Sequence, residues 1–132
     1  MQKGLSGDLL RLKRTIHEEL KDANRARIDG NEGRARVCAR RAAGWAVSFT
    51  RSLTEECEIE SNAYSMLQWL TQQADATDAV RSAAKRLTAR VNHDHTLPFP
   101  EDPLEDARMI VEALLGLDWT EMGEAQDPGN SS

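Results

Sequence analysis

Two histidines close together are the first feature of this sequence that could do chemistry. His93 and His95 flank Asp94 in the segment HDHTLPFPEDP, whose three prolines predict a loop. A His-x-His pair can bind a metal ion, but the spacing places no third ligand beside it. We therefore favour histidines that cap or hydrogen-bond to a neighbouring element, and we predict no metal and no cofactor.

A run of arginines is the second such feature. Residues 30–46 read GNEGRARVCARRAAGWA and carry Arg34, Arg36, Arg40 and Arg41. A guanidinium binds phosphate and carboxylate groups through two parallel hydrogen bonds. These arginines are therefore candidate binding residues for a nucleotide or RNA. The alternatives are a solvated face and a face that pairs with acidic residues of the same chain.

The charge distribution bears on that choice. Residues 1–53 hold 12 of the 17 Lys and Arg and 6 of the 22 Asp and Glu, whereas the remainder carries the other 5 bases and 16 acids. Such a split suits either an anionic partner or attraction between the two halves, within one fold or across a dimer. We favour the second interpretation, because nucleic-acid-binding domains are usually basic overall and this chain has a net charge of −5.

Composition indicates a protein of the cytoplasm. The two cysteines, Cys38 and Cys57, form no CxxC pair, so we expect free thiols in a reducing compartment and no zinc site built on cysteine. No apolar run approaches the roughly 20 residues that span a bilayer, and the N-terminus does not resemble a signal peptide. We predict a cytoplasmic protein with no membrane segment.

Apolar periodicity predicts the elements that must position these side chains. Apolar residues recur at steps of three or four in five segments, which is the pattern of amphipathic helices. In the second segment this stripe is made of Ala35, Ala39, Ala42 and Ala46, followed by Phe49 and Leu53. A stripe of methyl groups lets neighbouring helices approach closely, so this segment is the expected central helix.

The boundaries of the five helices follow from turn and cap residues. Gly30 ends the first helix, Ser61 or Asn62 and then Asp75 are candidate N-caps, Pro103 opens the last helix and Gly116 ends it. No segment has the alternation of a strand. The predicted fold is an all-α, up-down bundle of about five helices in one domain, residues 1–123, with a disordered tail, residues 124–132.

Two stretches of the sequence resemble a known family. The turn "GN" followed by "EGRARVCARRAAGWAV", and the later "LTARVNHDHTLPFPEDPLEDARMIVEALL", are similar to HEPN domains, over residues 8–116. The resemblance implies a helical bundle that forms a homodimer. HEPN proteins include metal-independent ribonucleases, non-catalytic partners of nucleotidyltransferases and nucleotide-binding modules.

The ribonuclease members carry an Arg and then a His, with four to six residues between them. Six residues separate Arg86 from His93 here, and four separate Arg90 from His95. The histidine would move the proton of a ribose 2′-hydroxyl and the arginine would hold the phosphate. Active members usually have a polar residue directly after the arginine, but here Leu87 follows the first pair's arginine and Val91 follows that of the second.

Whether the chain is an enzyme is therefore left open. We favour a non-catalytic HEPN-like interaction module that associates with itself or binds a protein, nucleotide or RNA partner. A metal-independent endoribonuclease and a purely structural helical module are the alternatives. Trp45 and Trp69 are candidate interface residues, because tryptophan is enriched where subunits meet; packing within the core is the other interpretation.

Overall fold

The structure, a computed structural model, describes residues 2–55, 62–89 and 102–116. The helices in these ranges are α1 (Gln2–Ile28), α2 (Glu32–Glu55), α3 (Ala63–Thr71), α4 (Asp78–Thr88) and α5 (Pro103–Leu115). Helix α2 packs against α1, α3 and α5, and α4 packs against α3 and α5. The described chain is thus an all-α bundle with α2 at its centre, as the periodicity predicts.

The alanine stripe of α2 is fully buried. Ala35, Ala39, Ala42 and Ala46 have no exposed surface, and Phe49 is buried after them. Large side chains of the neighbouring helices fill the space that these methyl groups leave, among them Ile16, Leu20, Met66, Leu67, Leu70, Leu87 and Ile110. The predicted stripe is wrong at Leu53, which is 52% exposed, because burial along α2 already declines over residues 50–52.

Gly44 is a point of close contact between α2 and α3. A Cβ atom added to Gly44 would lie 2.6 Å from the Cβ and 2.7 Å from the Cα of Ala63, the first residue of α3. Carbon atoms attract each other best at about 3.5–4.0 Å, so no side chain fits there. The absence of a side chain at Gly44 therefore sets where α3 begins against α2.

Most of the predicted helix ends agree with the structure. Gly30 ends α1 with a φ of 84°, and Gly116 follows α5 with a φ of 66°, both in the left-handed region that glycine tolerates. Asn62 caps α3 by accepting a hydrogen bond from the backbone N of Ser65. The prediction for α4 is wrong: Thr77, not Asp75, is the N-cap, because its side chain accepts from the backbone N of Val80.

One arginine joins three helices, of which α5 is distant in sequence from the other two. Arg27, near the end of α1, binds Glu32 at the start of α2 and, through Nη1 and Nη2, both carboxylate oxygens of Asp102 at 2.9 and 2.8 Å. Asp102 is also the N-cap of α5, where it accepts from the backbone N of Leu104. This cluster fixes the start of α5 beside the turn between α1 and α2.

No helix in the described part of the chain is both long and apolar enough to cross a membrane. The proposed tail, residues 124–132, and residues 93–101 of the predicted loop, 93–103, lie outside the described residues. The single-domain prediction for residues 1–123 stays a prediction.

Candidate anion site

The four arginines predicted as one binding face of α2 lie in three different environments. Arg41 forms an ion pair with Glu19 of α1, with 3.2 Å between Nε and Oε2. Arg34 is exposed in the first turns of the helix, where its backbone N donates to the side chain of Asn31. Arg36 and Arg40 are both half-buried and lie four residues apart, on successive turns of the same side of α2. Of the four arginines, these two therefore form the candidate site.

Arg40 is anchored at the end of α4. Its Nε donates to the backbone carbonyl of Leu87 at 3.0 Å, and a cation is favourable near the carbonyls at a helix C-terminus. Burial nevertheless lowers the pKa of the Arg40 guanidinium, and the nearby phenol of Tyr64 acts in the opposite direction. Arg40 thus has a structural contact, and within the described ranges no carboxylate is among its electrostatic partners.

Arg36 has no such anchor. Its Nε and Nη2 atoms are buried, and neither has a hydrogen-bond acceptor among the residues that the structure describes. Burial lowers the pKa of the Arg36 guanidinium, and the positive charge of Arg40 lowers it further. An arginine side chain still stays protonated in proteins. The fold therefore holds a positive charge with two unsatisfied donors, each of which costs about 1–3 kcal/mol when buried.

Other arginines in this molecule show what the Nε–Nη2 edge of a guanidinium normally binds. Arg86 of α4 donates from Nε and Nη2 to the two carboxylate oxygens of Asp106, at 2.9 and 2.8 Å, and Asp106 is almost fully buried. Arg27 presents the same two atoms to Glu32, at 2.9 and 3.1 Å. In Arg36 that edge is buried and has no acceptor among the described residues. Its geometry suits one acceptor with two oxygens, such as a phosphate or a carboxylate.

The predicted Arg–His pairs are only partly within the described residues. The side chain of Arg86 is bound to Asp106, which joins α4 to α5. Arg90, His93 and His95 lie outside the described residues, so the two catalytic pairs stay predictions. Within the described ranges, no three His, Cys, Asp or Glu side chains are grouped so that they could hold a metal ion.

The two predicted interface tryptophans both pack, partly buried, against the hydrophobic core. The indole N–H of Trp69 donates to Glu55 at 3.1 Å, and the guanidinium of Arg51 lies 5.6 Å from the centre of its ring. Arg51, and after it Trp69, lowers the pKa of the Glu55 carboxyl. Trp69 thus has partners within its own chain, and a role for either tryptophan in a dimer stays a prediction.

Cys38 is a small residue of the core. It is a free thiol with almost no exposed surface, on the side of α2 that faces α1. Burial, and after it the negative charge of Glu19, raises the pKa of this thiol. A thiol that is buried and protonated is a poor nucleophile, so Cys38 is no candidate for catalysis.

The sequence did not indicate that only Arg36 and Arg40 are half-buried, or which residues surround them. The one sequence feature that could have indicated it is the width of the arc of small residues on α2. Ala43 and Gly44 extend that arc beyond the alanine stripe, on the side where Arg36 and Arg40 project. Tyr64 and the Leu87 carbonyl have no such signal, because only the packing of α3 and α4 brings them there.

Comparison of the chain with protein-family models, curated proteins and solved structures gives no match.

Proposed function

We propose that this chain is a non-catalytic, HEPN-like binding module whose partner carries phosphate groups, as RNA or a nucleotide does. Arg36 turns its guanidinium out of its buried position and, together with Arg40, binds one phosphate. The observation that carries the proposal is the buried Nε–Nη2 edge of Arg36, which has no hydrogen-bond acceptor among the described residues.

Phosphate suits this pair of arginines for two reasons. It offers several oxygens, so it can accept two hydrogen bonds from Arg36 and further hydrogen bonds from the amino groups of Arg40. The Nε of Arg40 already donates to the Leu87 carbonyl. It also carries the negative charge that would relieve the repulsion between two guanidinium groups one turn apart.

The endoribonuclease alternative needs an arginine that is available to a phosphate. Arg86, the one proposed catalytic arginine in the described ranges, is bound on two atoms by Asp106. No observation on the described residues favours catalysis over binding, so binding is the function that we put forward.

The test is fluorescence anisotropy with a labelled single-stranded RNA, on wild type and on Arg36→Met, with Arg34→Met as the matched control. Both substitutions remove one positive charge from the same helix, two positions apart. We expect Arg36→Met to weaken binding about tenfold or more, on the order of one charge-assisted bidentate contact. Arg34→Met is expected to weaken it less than threefold, since Arg34 is exposed and contributes only screened attraction.

Salt dependence and stability separate binding from structure in the same samples. The slope of log K against log salt is expected to fall by about one for Arg36→Met. Because Arg36→Met also removes two unsatisfied buried donors, its free energy of unfolding is expected to rise by about 1 kcal/mol or more. Equal loss of binding in both variants, or destabilisation by Arg36→Met, would contradict the proposal. Loss of intact RNA during the assay would favour the ribonuclease alternative.

A further inference from the structure

An exposed aromatic side chain lies near Arg40, the second of the two arginines. Residues 36, 40 and 44 follow one another at steps of four along one side of α2, each about 6 Å further along the helix axis. Because Gly44 is in close contact with Ala63, α3 begins directly beside this row. Tyr64 is the next residue, and its phenol lies within electrostatic range of the Arg40 guanidinium.

Tyr64 differs from the other aromatic side chains described near α2 and α3. It is 52% exposed, whereas Phe49 is buried and Trp69 is partly covered and bound to Glu55. A half-exposed ring near a half-buried pair of cations is a combination that binds single-stranded nucleic acid, since phosphates bind cations and unpaired bases stack on aromatic faces. In a duplex the bases stack on each other and would not reach the ring.

We propose that the site of Arg36, Arg40 and Tyr64 binds one unpaired nucleotide of a nucleic-acid strand, with the phosphate on the arginines and the base stacked on Tyr64. This inference rests on the proposed function and deepens it. It adds a contact to the base that the arginines alone do not make, and it therefore gives the site a preference for single strands over duplexes.

The experiment compares a single-stranded RNA with the same strand carrying abasic sites, so that the phosphates are unchanged and the bases are removed. Wild type and Tyr64→Phe are expected to bind the complete strand about tenfold more tightly than the abasic strand, within the range of one stacked base. Tyr64→Leu keeps an apolar side chain but removes the aromatic face, and it is expected to bind both strands equally. Leu53→Ser is the control and should keep the full preference, because Leu53 lies on α2 and is 52% exposed, as Tyr64 is on α3.

The outcomes distinguish this inference from the proposed function. A preference for the complete strand that survives in Tyr64→Leu overturns stacking on Tyr64, even if Arg36→Met still weakens binding of the abasic strand. Abasic-strand binding that does not depend on Arg36 overturns the phosphate site itself. A DNA strand of the same sequence identifies the source: equal affinity assigns the site to any single strand, and preference for RNA assigns it to RNA.

Discussion

Replacing Gly44 by alanine tests the close approach that sets the start of α3. The new Cβ would lie 2.6 Å from the Cβ and 2.7 Å from the Cα of Ala63, so the two helices must move apart by about 1 Å to restore normal contact. Overpacking of this kind costs about 1–3 kcal/mol, and contact with backbone places this case near the upper end. Helix propensity returns about 1 kcal/mol, because alanine is the better helix former.

The expected net loss for Gly44→Ala is therefore about 2 kcal/mol. For a chain of this size that lowers Tm by roughly 6–8 °C. The assay is urea unfolding followed by circular dichroism, together with a thermal scan. Gly33→Ala is the matched control, since a Cβ there meets only the Asn31 side chain at 3.8 Å, and it should leave stability unchanged or raise it by up to about 1 kcal/mol. If Gly44→Ala is as stable as Gly33→Ala, the close-approach argument is refuted.

Two further predictions concern ion pairs. Asp106→Ala removes both oxygens that bind Arg86 and should lower the free energy of unfolding in urea by about 3–5 kcal/mol. The control Glu105→Ala, at the exposed neighbour, should lower it by less than about 0.5 kcal/mol. Similar losses in the two variants would contradict the role of burial. Hydrogen bonding to Arg27 lowers the pKa of Asp102 below 3.8. The ionised Asp102 therefore stabilises the folded protein fully above that value, and this stabilisation is lost as the pH falls through the lowered pKa. Asp102→Asn should therefore cost about 1 kcal/mol at pH 7, and the difference from wild type should shrink below about pH 4; a difference that is constant down to pH 2 would exclude this linkage.

Much of the fold could be predicted from local pattern. The five helices, the central place of α2, the stops at Gly30 and Gly116, the cap Asn62 and the start of α5 at Pro103 all depend on residues close together in sequence. The wrong predictions concern the burial of one residue and the cap of one helix. Leu53 is exposed although it continues the apolar stripe, and Thr77 takes the cap position that Asp75 was expected to fill.

The candidate site was less predictable. The sequence placed four arginines on α2, but their types and spacing are compatible with solvent, carboxylates or phosphate. Which of them meets an acid depends on what packs opposite: Glu19 of α1 reaches Arg41, whereas Arg36 faces no carboxylate in the described ranges. The proposed functions of His93 and His95 stay predictions from spacing.

The sequence by itself therefore determined the class of fold and the supply of charge, because helical periodicity and capping are properties of neighbouring residues. Only the tertiary structure decided which charges are neutralised. Asp106 is 20 residues from Arg86, Asp102 is 75 from Arg27, and the Leu87 carbonyl is 47 from Arg40. Such pairs exist only once the helices have packed, and the same packing buried the Nε and Nη2 of Arg36 without an acceptor.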